Sequence, residues 1–517
     1  MPTSRLAAEF TFAELTPTAF LSRAARVFAD RIAIVDGKRQ FTYAEFADRV
    51  ERLRGGLARS GVRSGDRVAV LCTNSHVMLE LHTAVPAAGA VLVPMNTRQS
   101  VAELTYIVEH SGATLMIATS ELAVAAGEVA AAVGIECIVE GPAYESLIGE
   151  DVAVAPSIDE LGLLAINYTS GTTGRPKGVM YHHRGAYLQA QAMAYHARLE
   201  PGSRYLWTLP MFHCCGWSFT WAVAAAGGMN VCLRAIDPVE IWRSLRTEGI
   251  THFSAAPTVL TMLAESNAAT ELPSRVSVQT GGAPPSPTLL ERMVGLGFDV
   301  DHLYGMTETF GPVIVNQWQP EWNSLDTAEI AKLKARQGIG NISAIAARVV
   351  DASGTDVPGD ARTIGELVVR GNNVMLGYYR DREETAASTT VDGWLRTGDL
   401  AVMHPDGYVE IADRAKDVII SGGENIASVE VERVLDSHPD VVQSALIGRP
   451  DAKWGEVPVA YVELRAGAQP DVDRLQAHVR RALAGYKIPR EVVFTDLPKT
   501  ATGKIRKDRL RASPDHG

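Results

Sequence analysis

Between residues 168 and 178 the chain reads Tyr168-Thr-Ser-Gly-Thr-Thr-Gly-Arg-Pro-Lys-Gly178. The stretch follows an apolar run at residues 163–166, which predicts a short buried strand. Glycines let backbone N–H groups turn toward an anion, hydroxyls add donors, and Arg175 and Lys177 add positive charge. The pattern therefore predicts a loop that holds a polyphosphate. Its spacing is not that of a Walker A loop, which ends in Gly-Lys-Ser or Gly-Lys-Thr.

Length and composition bound the class of protein. A chain of 517 residues is too long for one ordinary core, so we expect two or more domains. A net charge of −11 argues against a nucleic-acid-binding protein. The five cysteines fit neither a zinc motif nor a disulfide framework. Because no apolar run is long enough to span a bilayer and the N-terminus has no hydrophobic signal core, we expect a cytoplasmic protein.

Strand-like apolar runs alternate with helical patterns over residues 41–315. The runs lie at residues 67–72, 90–94, 114–118, 205–209, 230–233, 252–255 and 275–280. This alternation predicts an α/β fold with two doubly wound subdomains. From about residue 349 shorter strands and turns predict a small β-rich subdomain, and an α+β segment follows Asp413. We therefore predict an N-terminal region at residues 1–413 and a C-terminal domain at residues 414–517.

The stretch at 168–178 resembles the phosphate-binding signature of the adenylate-forming superfamily, which holds acyl-CoA synthetases, peptide-synthetase adenylation domains and beetle luciferases. Further segments match the same superfamily in the same order. They are Met211-Phe-His-Cys-Cys-Gly-Trp217, Thr280-Gly-Gly-Ala283, Tyr304-Gly-Met-Thr-Glu308, Thr397-Gly-Asp399, Asp413-Arg-Ala-Lys-Asp417, Ser421-Gly-Gly-Glu-Asn-Ile426 and Pro498-Lys-Thr-Ala-Thr-Gly-Lys504. The resemblance implies a large N-terminal region that binds ATP and the acid, and a mobile C-terminal domain.

The resemblance implies which residues bind the nucleotide. Those of the phosphate loop are Thr169, Ser170, Gly171, Thr172, Thr173, Gly174 and Lys177. Glycine has no Cβ, so the base would lie against the bare backbone of Gly281, Gly282 and Ala283. Tyr304, followed by Gly305, would stack on the adenine ring.

The same resemblance gives roles to four further residues. Thr307 would meet the α-phosphate, and Glu308 would bind Mg²⁺, a hard cation that takes oxygen ligands. Asp399 would accept both ribose hydroxyls, as the acid of dinucleotide-binding folds does. Arg414 would contact the ribose and a phosphate.

The C-terminal segment supplies the implied catalytic lysine and the implied hinge. Lys504 would bridge the substrate carboxylate and the α-phosphate, and so stabilise developing charge. Lys416 stands at the position where the superfamily's backbone rotates between two domain orientations. Gly422 and Gly423 would line the path of the pantetheine arm, which favours coenzyme A as the acceptor.

The segment around His213 resembles plant and bacterial acyl-activating enzymes, a branch with short- and medium-chain, aryl and methylmercaptopropionate–CoA ligases. His213 would act beside the carboxylate and the thiol path, and Trp217 and Met306 would form the acyl pocket. The implied function is an acid–CoA ligase that uses ATP, Mg²⁺ and CoA on a short- or medium-chain or aromatic acid. A non-CoA acceptor, a luciferase-like oxidation, a non-catalytic module and a homodimer are left open.

Overall fold

The computed structural model describes residues 13–149, 155–169, 175–283, 285–414, 416–422, 424–451, 453–500 and 503–512. The chain forms two compact units. The first consists of Met1–Ala235, Met306–Gly311 and Asn372–Thr385, and the second of Ile236–Gly305, Pro312–Gly371 and Ala386–Gly517. The predicted boundary at residue 413 stays a prediction.

A seven-stranded sheet carries the phosphate-loop segment in the first unit. Its strands are, in spatial order, Gly377–Tyr378, Lys177–His182, Leu163–Thr169, Val91–Pro94, Arg67–Leu71, Ala113–Ala118 and Glu136–Val139. The first two strands run antiparallel to their neighbours, and the others pair in parallel. The parallel strands are continuous apolar runs because helices cover both faces of such a sheet.

The first unit also holds four strands of a second sheet and most of its helices. The strands are, in spatial order, Arg204–Trp207, Met229–Cys232, Ile32–Asp36 and Arg39–Thr42. The helices are Thr18–Val27, Tyr43–Arg59, His76–Ala87, Val101–Ser111, Ala123–Val133, Pro142–Ile148, His183–His196, Cys214–Trp217 and Phe219–Ala226, with 3-10 turns at Ser120–Leu122 and Thr307–Thr309. Capping boxes begin two of these helices, where Thr42 faces Glu45 and Ser100 faces Glu103.

The second unit contains three groups of strands. Five run in the order Ile339–Gly340, Gly311–Val315, Phe298–Met306, Val276–Thr280 and His252–Ala255. Four form an antiparallel sheet of Ala344–Val350, Gly365–Gly371, Leu395–Met403 and Val409–Arg414. The last five are Glu424–Ile426, Ile419–Ser421, Gly455–Leu464, Val441–Asp451 and Glu491–Phe494. The antiparallel sheet is the β-rich part that the sequence predicted from about residue 349.

Helices cover these strands. They are Pro238–Thr247, Pro257–Glu265, Pro287–Gly295, Thr327–Ala335, Ser428–Asp436, Val472–Ala482 and Lys507–Ala512, with 3-10 turns at Pro320–Ser324 and Gly485–Lys487. The short helix Arg382–Ala387 follows the strand Gly377–Tyr378. Beyond residue 418, Ile426, Leu435, Leu446, Val462 and Val479 belong to one buried cluster. This cluster is the core of the predicted C-terminal α+β segment.

The predicted fold class is confirmed, with α/β, β-rich and α+β parts in the expected order. The predicted strand at 252–255 agrees with His252–Ala255, and most other predicted bounds are within two residues. The strand predicted at 163–166 is longer, since it continues to Thr169. Among the described residues no helix is both long and apolar enough to cross a membrane.

Candidate active site

The two strands that flank the predicted phosphate loop pair with each other. In the antiparallel ladder of Leu163–Thr169 and Lys177–His182, Thr169 stands opposite Lys177. The loop predicted at residues 169–178 is shorter than expected, because Thr169 pairs with Lys177 and Gly178 pairs with Tyr168. Within the predicted loop, Ser170, Gly171, Thr172, Thr173 and Gly174 lie outside the described residues.

The Lys177 ammonium is held from two sides within the first unit. Nζ of Lys177 lies 2.5 Å from Oε1 of Glu384 and 5.2 Å from the centre of the Tyr378 ring. The lysine side chain is about one-quarter exposed, at 27%. A lysine with a carboxylate on one side and an aromatic face on the other keeps a defined position at the mouth of the loop.

Thr307 and Glu308 lie in a 3-10 turn, Thr307–Thr309, directly after Met306. The Tyr181 hydroxyl donates to the Thr307 carbonyl at 2.6 Å, and the Tyr378 hydroxyl donates to Oε1 of Glu308 at 2.8 Å. Glu308 is only 8% exposed. Burial, and then the Glu308 charge, raise the pKa of Tyr378 far above its usual range, so its hydroxyl remains a donor at neutral pH.

The segment after His213 has a left-handed backbone. Cys214, Cys215, Gly216, Trp217 and Ser218 all have φ between +42° and +64°. Each L residue in this region costs roughly 1–2 kcal/mol, so contacts elsewhere must hold the turn. Two such contacts are the Cys215 amide on Oδ1 of Asn167 at 3.0 Å and the Gly216 amide on the His213 carbonyl at 2.8 Å.

The left-handed turn brings two side chains to the region of Thr307. The thiol of Cys214 donates to Oγ1 of Thr307 at 3.6 Å and lies 3.8 Å from Nε2 of His213. Burial raises the pKa of Cys214 to about 12 and that of Cys215 well above its usual range. Both thiols therefore stay neutral, which makes them poor nucleophiles.

Trp217 packs against Gly311 among other aromatic rings. The indole is 6% exposed, and a Cβ on Gly311 would lie 3.2 Å from the Cα of Trp217. Tyr181 stacks on Phe310 with ring centres 3.9 Å apart, and Trp221 meets Phe310 edge-on at 6.1 Å. The segment predicted as the acyl-pocket wall thus lies beside Thr307, with Met306 one residue before it.

In the second unit, Asp399 contacts both Tyr304, which is predicted to stack on adenine, and Arg414, which is predicted to contact the ribose. The Tyr304 hydroxyl donates to Oδ2 of Asp399 at 2.6 Å, and Nε of Arg414 lies 3.4 Å from Oδ1. Asp399 and Arg414 stand opposite each other in an antiparallel ladder, and Asp399 is 7% exposed. The strand pairing explains why an acid and an arginine that are fifteen positions apart in sequence meet in the fold.

Lys504 lies in a tight turn of the same unit. The Thr500 amide donates to the Lys504 carbonyl at 2.7 Å, and the Lys504 amide donates to Oγ1 of Thr500 at 3.0 Å. A Cβ on the preceding Gly503 would lie 1.8 Å from Oγ1 of Thr258, so only glycine fits there. The pKa of Lys504 is lowered to about 7, mainly by burial and then by the Arg414 charge, whereas the Asp399 charge opposes the shift. The structure therefore groups Lys504 with Asp399 and Arg414.

The remaining predicted residues lie in turns of the second unit. Gly281, Gly282 and Ala283 directly follow the strand Val276–Thr280, and Gly282 has a φ of +89°. Lys416 is exposed next to a backbone turn in which the Asp417 amide donates to the Arg414 carbonyl at 2.9 Å.

Gly422 contacts an aromatic ring in the same unit. Its amide donates to the Trp454 carbonyl at 2.8 Å, and a Cβ there would lie 2.7 Å from the indole. The residue has a φ of +62°, so glycine suits the position on both counts. Gly423, the other residue predicted to line the pantetheine path, lies outside the described residues.

The sequence pattern missed Tyr378, Glu384 and Tyr181, which contact predicted site residues in the first unit. Tyr378 and Glu384 follow Lys177 by about two hundred positions, and the pairing of Gly377–Tyr378 with Lys177–His182 brings this segment to the lysine. The available signal was the Gly377-Tyr378 pair after a strand-like run, since a glycine in such a place indicates close backbone approach.

Sequence profiles identify the chain's family. The profile of the AMP-binding enzyme matches residues 21–379, and the profile of the AMP-binding enzyme C-terminal domain matches residues 430–504. The chain belongs to the AMP-binding enzyme family. The first match contains the predicted site residues from Thr169 to Glu308 and the second contains Lys504, whereas Asp399, Arg414, Lys416, Gly422 and Gly423 lie between the two matches.

Characterised members of the AMP-binding family resemble the chain over almost its whole length. It is 42% identical to 4-hydroxybutyrate–CoA ligase 2 of Metallosphaera sedula, covering 97% of this chain and 94% of the relative. It is 41% identical to 2-methylpropanoate–CoA ligase CCL4 of Humulus lupulus, covering 96% and 94%. The crystal structure of ATP-bound MatB from Rhodopseudomonas palustris superposes with a TM-score of 0.86 at 29% identity, covering 97% of this chain and 99% of that one.

Proposed function

We propose that the acid activated by this CoA ligase of the AMP-binding family is a short-chain carboxylic acid, of about the size of butyrate. The observation that carries the short chain is the aromatic packing beside Thr307, where Tyr181 stacks on Phe310 and Trp217 lies on Gly311. Large buried rings leave limited room for an acyl chain. The two relatives named as ligases of 4-hydroxybutyrate and 2-methylpropanoate support the same size.

The CoA ligase reaction consumes an acid, ATP and CoA in two half-reactions. In the first, a carboxylate oxygen of the acid attacks the α-phosphorus of ATP. The bond from that phosphorus to the bridging oxygen breaks, and pyrophosphate leaves. In the second, the CoA thiol loses its proton and attacks the acyl carbonyl, and AMP leaves with the bonding electron pair.

Asp399 is proposed to bind the ribose. One of its oxygens accepts a hydrogen bond from Tyr304 and the other forms an ion pair with Arg414, but a carboxylate has about four lone-pair sites in all. Sites for both ribose hydroxyls therefore remain. The hydrogen bond from Tyr304 also fixes the phenol ring, which we propose lies against adenine, with Gly281, Gly282 and Ala283 along the base.

Lys504 and Thr307 are proposed to act at the α-phosphate. A lysine whose pKa is lowered to about 7 loses its proton easily in the free protein, but polyphosphate and carboxylate charges would favour the ammonium. The ammonium would then stabilise the charge that develops on the α-phosphate during attack. The Thr307 hydroxyl would donate to the same phosphate, and Arg414 would contact it from the ribose side.

Mg²⁺ is the metal of this reaction, and the residues present fit it. Glu308 offers a buried carboxylate oxygen, the kind of ligand that a hard cation prefers. When bound, the metal neutralises charge on the polyphosphate. The chain's own part is to hold the Glu308 carboxylate in place and to bring Lys177 to the mouth of the phosphate loop.

The second half-reaction is proposed to use a different orientation of the C-terminal segment. Rotation about Lys416 would remove Lys504 and bring the turn that holds Gly422 toward the acyl-adenylate. The bare backbone of Gly422 and Gly423 would let the pantetheine arm pass. The His213 side chain would border the acyl carbonyl of the substrate and the path of the thiol. The backbone carbonyl of His213 accepts from the Gly216 amide and so helps to hold the left-handed turn.

Two assays test the proposed function. Pyrophosphate release and AMP formation are measured with acids of graded length, both with and without CoA. We expect the highest kcat/KM with a short acid, and AMP turnover that requires CoA. Turnover that continues with an amine or a carrier-protein thiol but not with CoA would favour the alternative acceptor. A maximum with long or aromatic acids would reject the short-chain proposal.

Trp217→Gly tests the acyl-pocket assignment. Glycine suits the left-handed backbone at this position, where φ is +50°, so the change removes the ring without adding strain. We expect kcat/KM for an acid several carbons longer to rise relative to that for a short acid, because the missing indole opens space. Both values falling together with an unchanged ratio would assign Trp217 to the structural core.

Two finer expectations remain predictions. Cell fractionation tests whether the protein resides in the cytoplasm, and light scattering of the purified chain tests for a homodimer.

A further inference from the structure

Tyr378 contacts Glu308 and Lys177, the two residues of the first unit that are proposed to act on Mg²⁺ and the phosphates of ATP. Its hydroxyl donates a hydrogen bond to Oε1 of Glu308 at 2.8 Å. Nζ of Lys177 lies 5.2 Å from the centre of its ring. Tyr378 and Glu308 are each 8% exposed, so the hydrogen bond between them lies away from bulk water, whereas Lys177 is about one-quarter exposed. One buried side chain thus connects the metal-binding carboxylate with the lysine of the phosphate loop.

The backbone fixes the position of Tyr378. The strand Gly377–Tyr378 pairs antiparallel with Lys177–His182, the strand on which Lys177 itself lies. The Tyr379 amide donates to the Gly178 carbonyl at 2.7 Å, and the Tyr378 amide donates to Oγ1 of Thr385 at 2.8 Å. The backbone of Tyr378 cannot move away from the strand of Lys177 without breaking this pairing.

Gly377 lets the chain make the required close turn. Its φ is +134°, and a Cβ there would lie 2.6 Å from Cγ2 of Thr385. Beyond that turn the Glu384 amide donates to Oδ1 of Asp381 at 3.0 Å, which sets Glu384 where it pairs with Lys177. The lysine therefore has a carboxylate on one side and the Tyr378 ring on the other.

We propose that Tyr378 is a positioning residue for adenylation: its hydroxyl orients Glu308 toward Mg²⁺, and its ring face fixes the Lys177 ammonium. The inference rests on the proposed roles of Glu308 and Lys177 in binding Mg²⁺ and ATP. A carboxylate with one oxygen tied to a phenol has fewer orientations to lose when a metal binds. Loss of such a supporting hydrogen bond typically lowers metal affinity by roughly 10–100-fold.

The test compares Tyr378→Phe with Tyr379→Phe. The first change removes the hydroxyl on Glu308 and keeps the ring. The second removes the neighbouring phenol oxygen, on a ring that packs edge-on against His110. Mn²⁺ serves as the probe, and free Mn²⁺ is measured by electron paramagnetic resonance with the full chain and α,β-methylene-ATP. We expect the dissociation constant for Mn²⁺ to rise about tenfold in Tyr378→Phe and to stay at the parent value in Tyr379→Phe.

Kinetics separate positioning from a structural role. In Tyr378→Phe the Mg²⁺ concentration for half-maximal adenylation should rise, while thioester formation from a supplied acyl-adenylate keeps the parent rate. Tyr378→Leu also removes the ring face, so it should raise KM for ATP at saturating Mg²⁺. Unchanged Mn²⁺ affinity in Tyr378→Phe would overturn the proposal. An equal fall in the rates of adenylation and thioester formation would overturn it too, because that result assigns Tyr378 to fold stability. A parent protein that forms no AMP with any acid would reject the proposed function, whereas the Mn²⁺ titration would still decide the role of Tyr378.

Discussion

At the scale of the residue, Lys504 illustrates how surroundings tune a single charge. Burial is the largest cause of its lowered pKa of about 7, and Arg414 and Lys416 act in the same direction. Asp399 and Asp417 oppose them. The negative charge of bound ATP would oppose them as well. The pKa of Lys504 is therefore expected to differ between the free enzyme and its ATP complex.

The pH dependence of adenylation tests this tuning. A lysine with a pKa of about 7 is half charged at that pH, becomes fully charged as the pH falls below it and loses its proton as the pH rises through it. We expect kcat/KM for ATP, which reports the free enzyme, to fall above about pH 7, and kcat to fall only at higher pH.

Two lysine variants complete this test. Lys504→Ala should abolish adenylation yet spare thioester formation from a supplied acyl-adenylate. Lys499→Ala is the matched control, since Lys499 pairs with Glu463 at 3.1 Å, and it should keep the parent pH profile. An alkaline limb near the ordinary lysine pKa of about 10.4 would contradict the lowered value.

The sequence predicted which residues belong to the site better than it predicted which residues they contact. Thr-Gly-Asp399 and Tyr304-Gly each pointed to the nucleotide, but their hydrogen bond depends on long-range packing that no local pattern encodes. Tyr378 stands in an ordinary Gly-Tyr-Tyr-Arg-Asp run, and Glu384 lies three residues beyond it. The position of Tyr378 is set by the register of one short strand.

At the scale of the element, the turn at 214–218 explains why Gly311 is glycine. Five consecutive residues are left-handed, and the turn carries the Trp217 backbone to within contact of Gly311. The sequence predicted Trp217 on a pocket wall but gave no sign of this backbone, because Cys, Trp and Ser favour right-handed conformations. Strand and helix bounds were more predictable, since they follow from apolar periodicity.

Gly311→Ala should destabilise the protein. Gly311 has a φ of +87°, and the new Cβ would lie 3.1–3.4 Å from atoms of Trp217, including its Cα. We expect a loss of about 2–3 kcal/mol in the free energy of unfolding, from backbone strain and displacement of the turn.

Gly127→Ala is the matched control for Gly311→Ala. Gly127 lies in the helix Ala123–Val133, and a Cβ there would meet nothing within 4 Å. It should stabilise by roughly 0.5–1 kcal/mol. Urea denaturation measures the free energy of unfolding of both variants. An unchanged value for Gly311→Ala would mean that the turn at 214–218 shifts without loss of stability.

At the scale of the whole molecule, the order of α/β, β-rich and α+β parts could be predicted because each class of sheet has its own sequence period. Contacts that the sequence does not display join the two sides of the predicted boundary at residue 413. The strand Val409–Arg414 ends there, Arg433 pairs with Glu410 at 2.8 Å, and Oγ of Ser428 donates to Asp413 at 3.1 Å. Any rotation about Lys416 must exchange these contacts for others.

Lys416→Pro tests whether the chain has a hinge at Lys416. Proline fixes φ near −65°, so it would prevent the backbone rotation that the second half-reaction is proposed to need. In the described structure the charges of Asp399 and Arg414 act on Lys504. If Lys416→Pro keeps this orientation, we expect the variant to carry out adenylation. Acyl-adenylate should then accumulate in a single turnover while CoA-dependent turnover falls by at least about tenfold, which corresponds to 1.4 kcal/mol.

The control for the hinge is Lys416→Ala, which removes the same ammonium and leaves φ free. If Lys416→Ala keeps CoA-dependent turnover while Lys416→Pro loses it, the backbone and not the charge carries the function of this position. Full turnover in Lys416→Pro would place the rotation at another residue. Equal loss of thioester formation in both variants would assign the effect to the ammonium, because only the charge is common to the two changes.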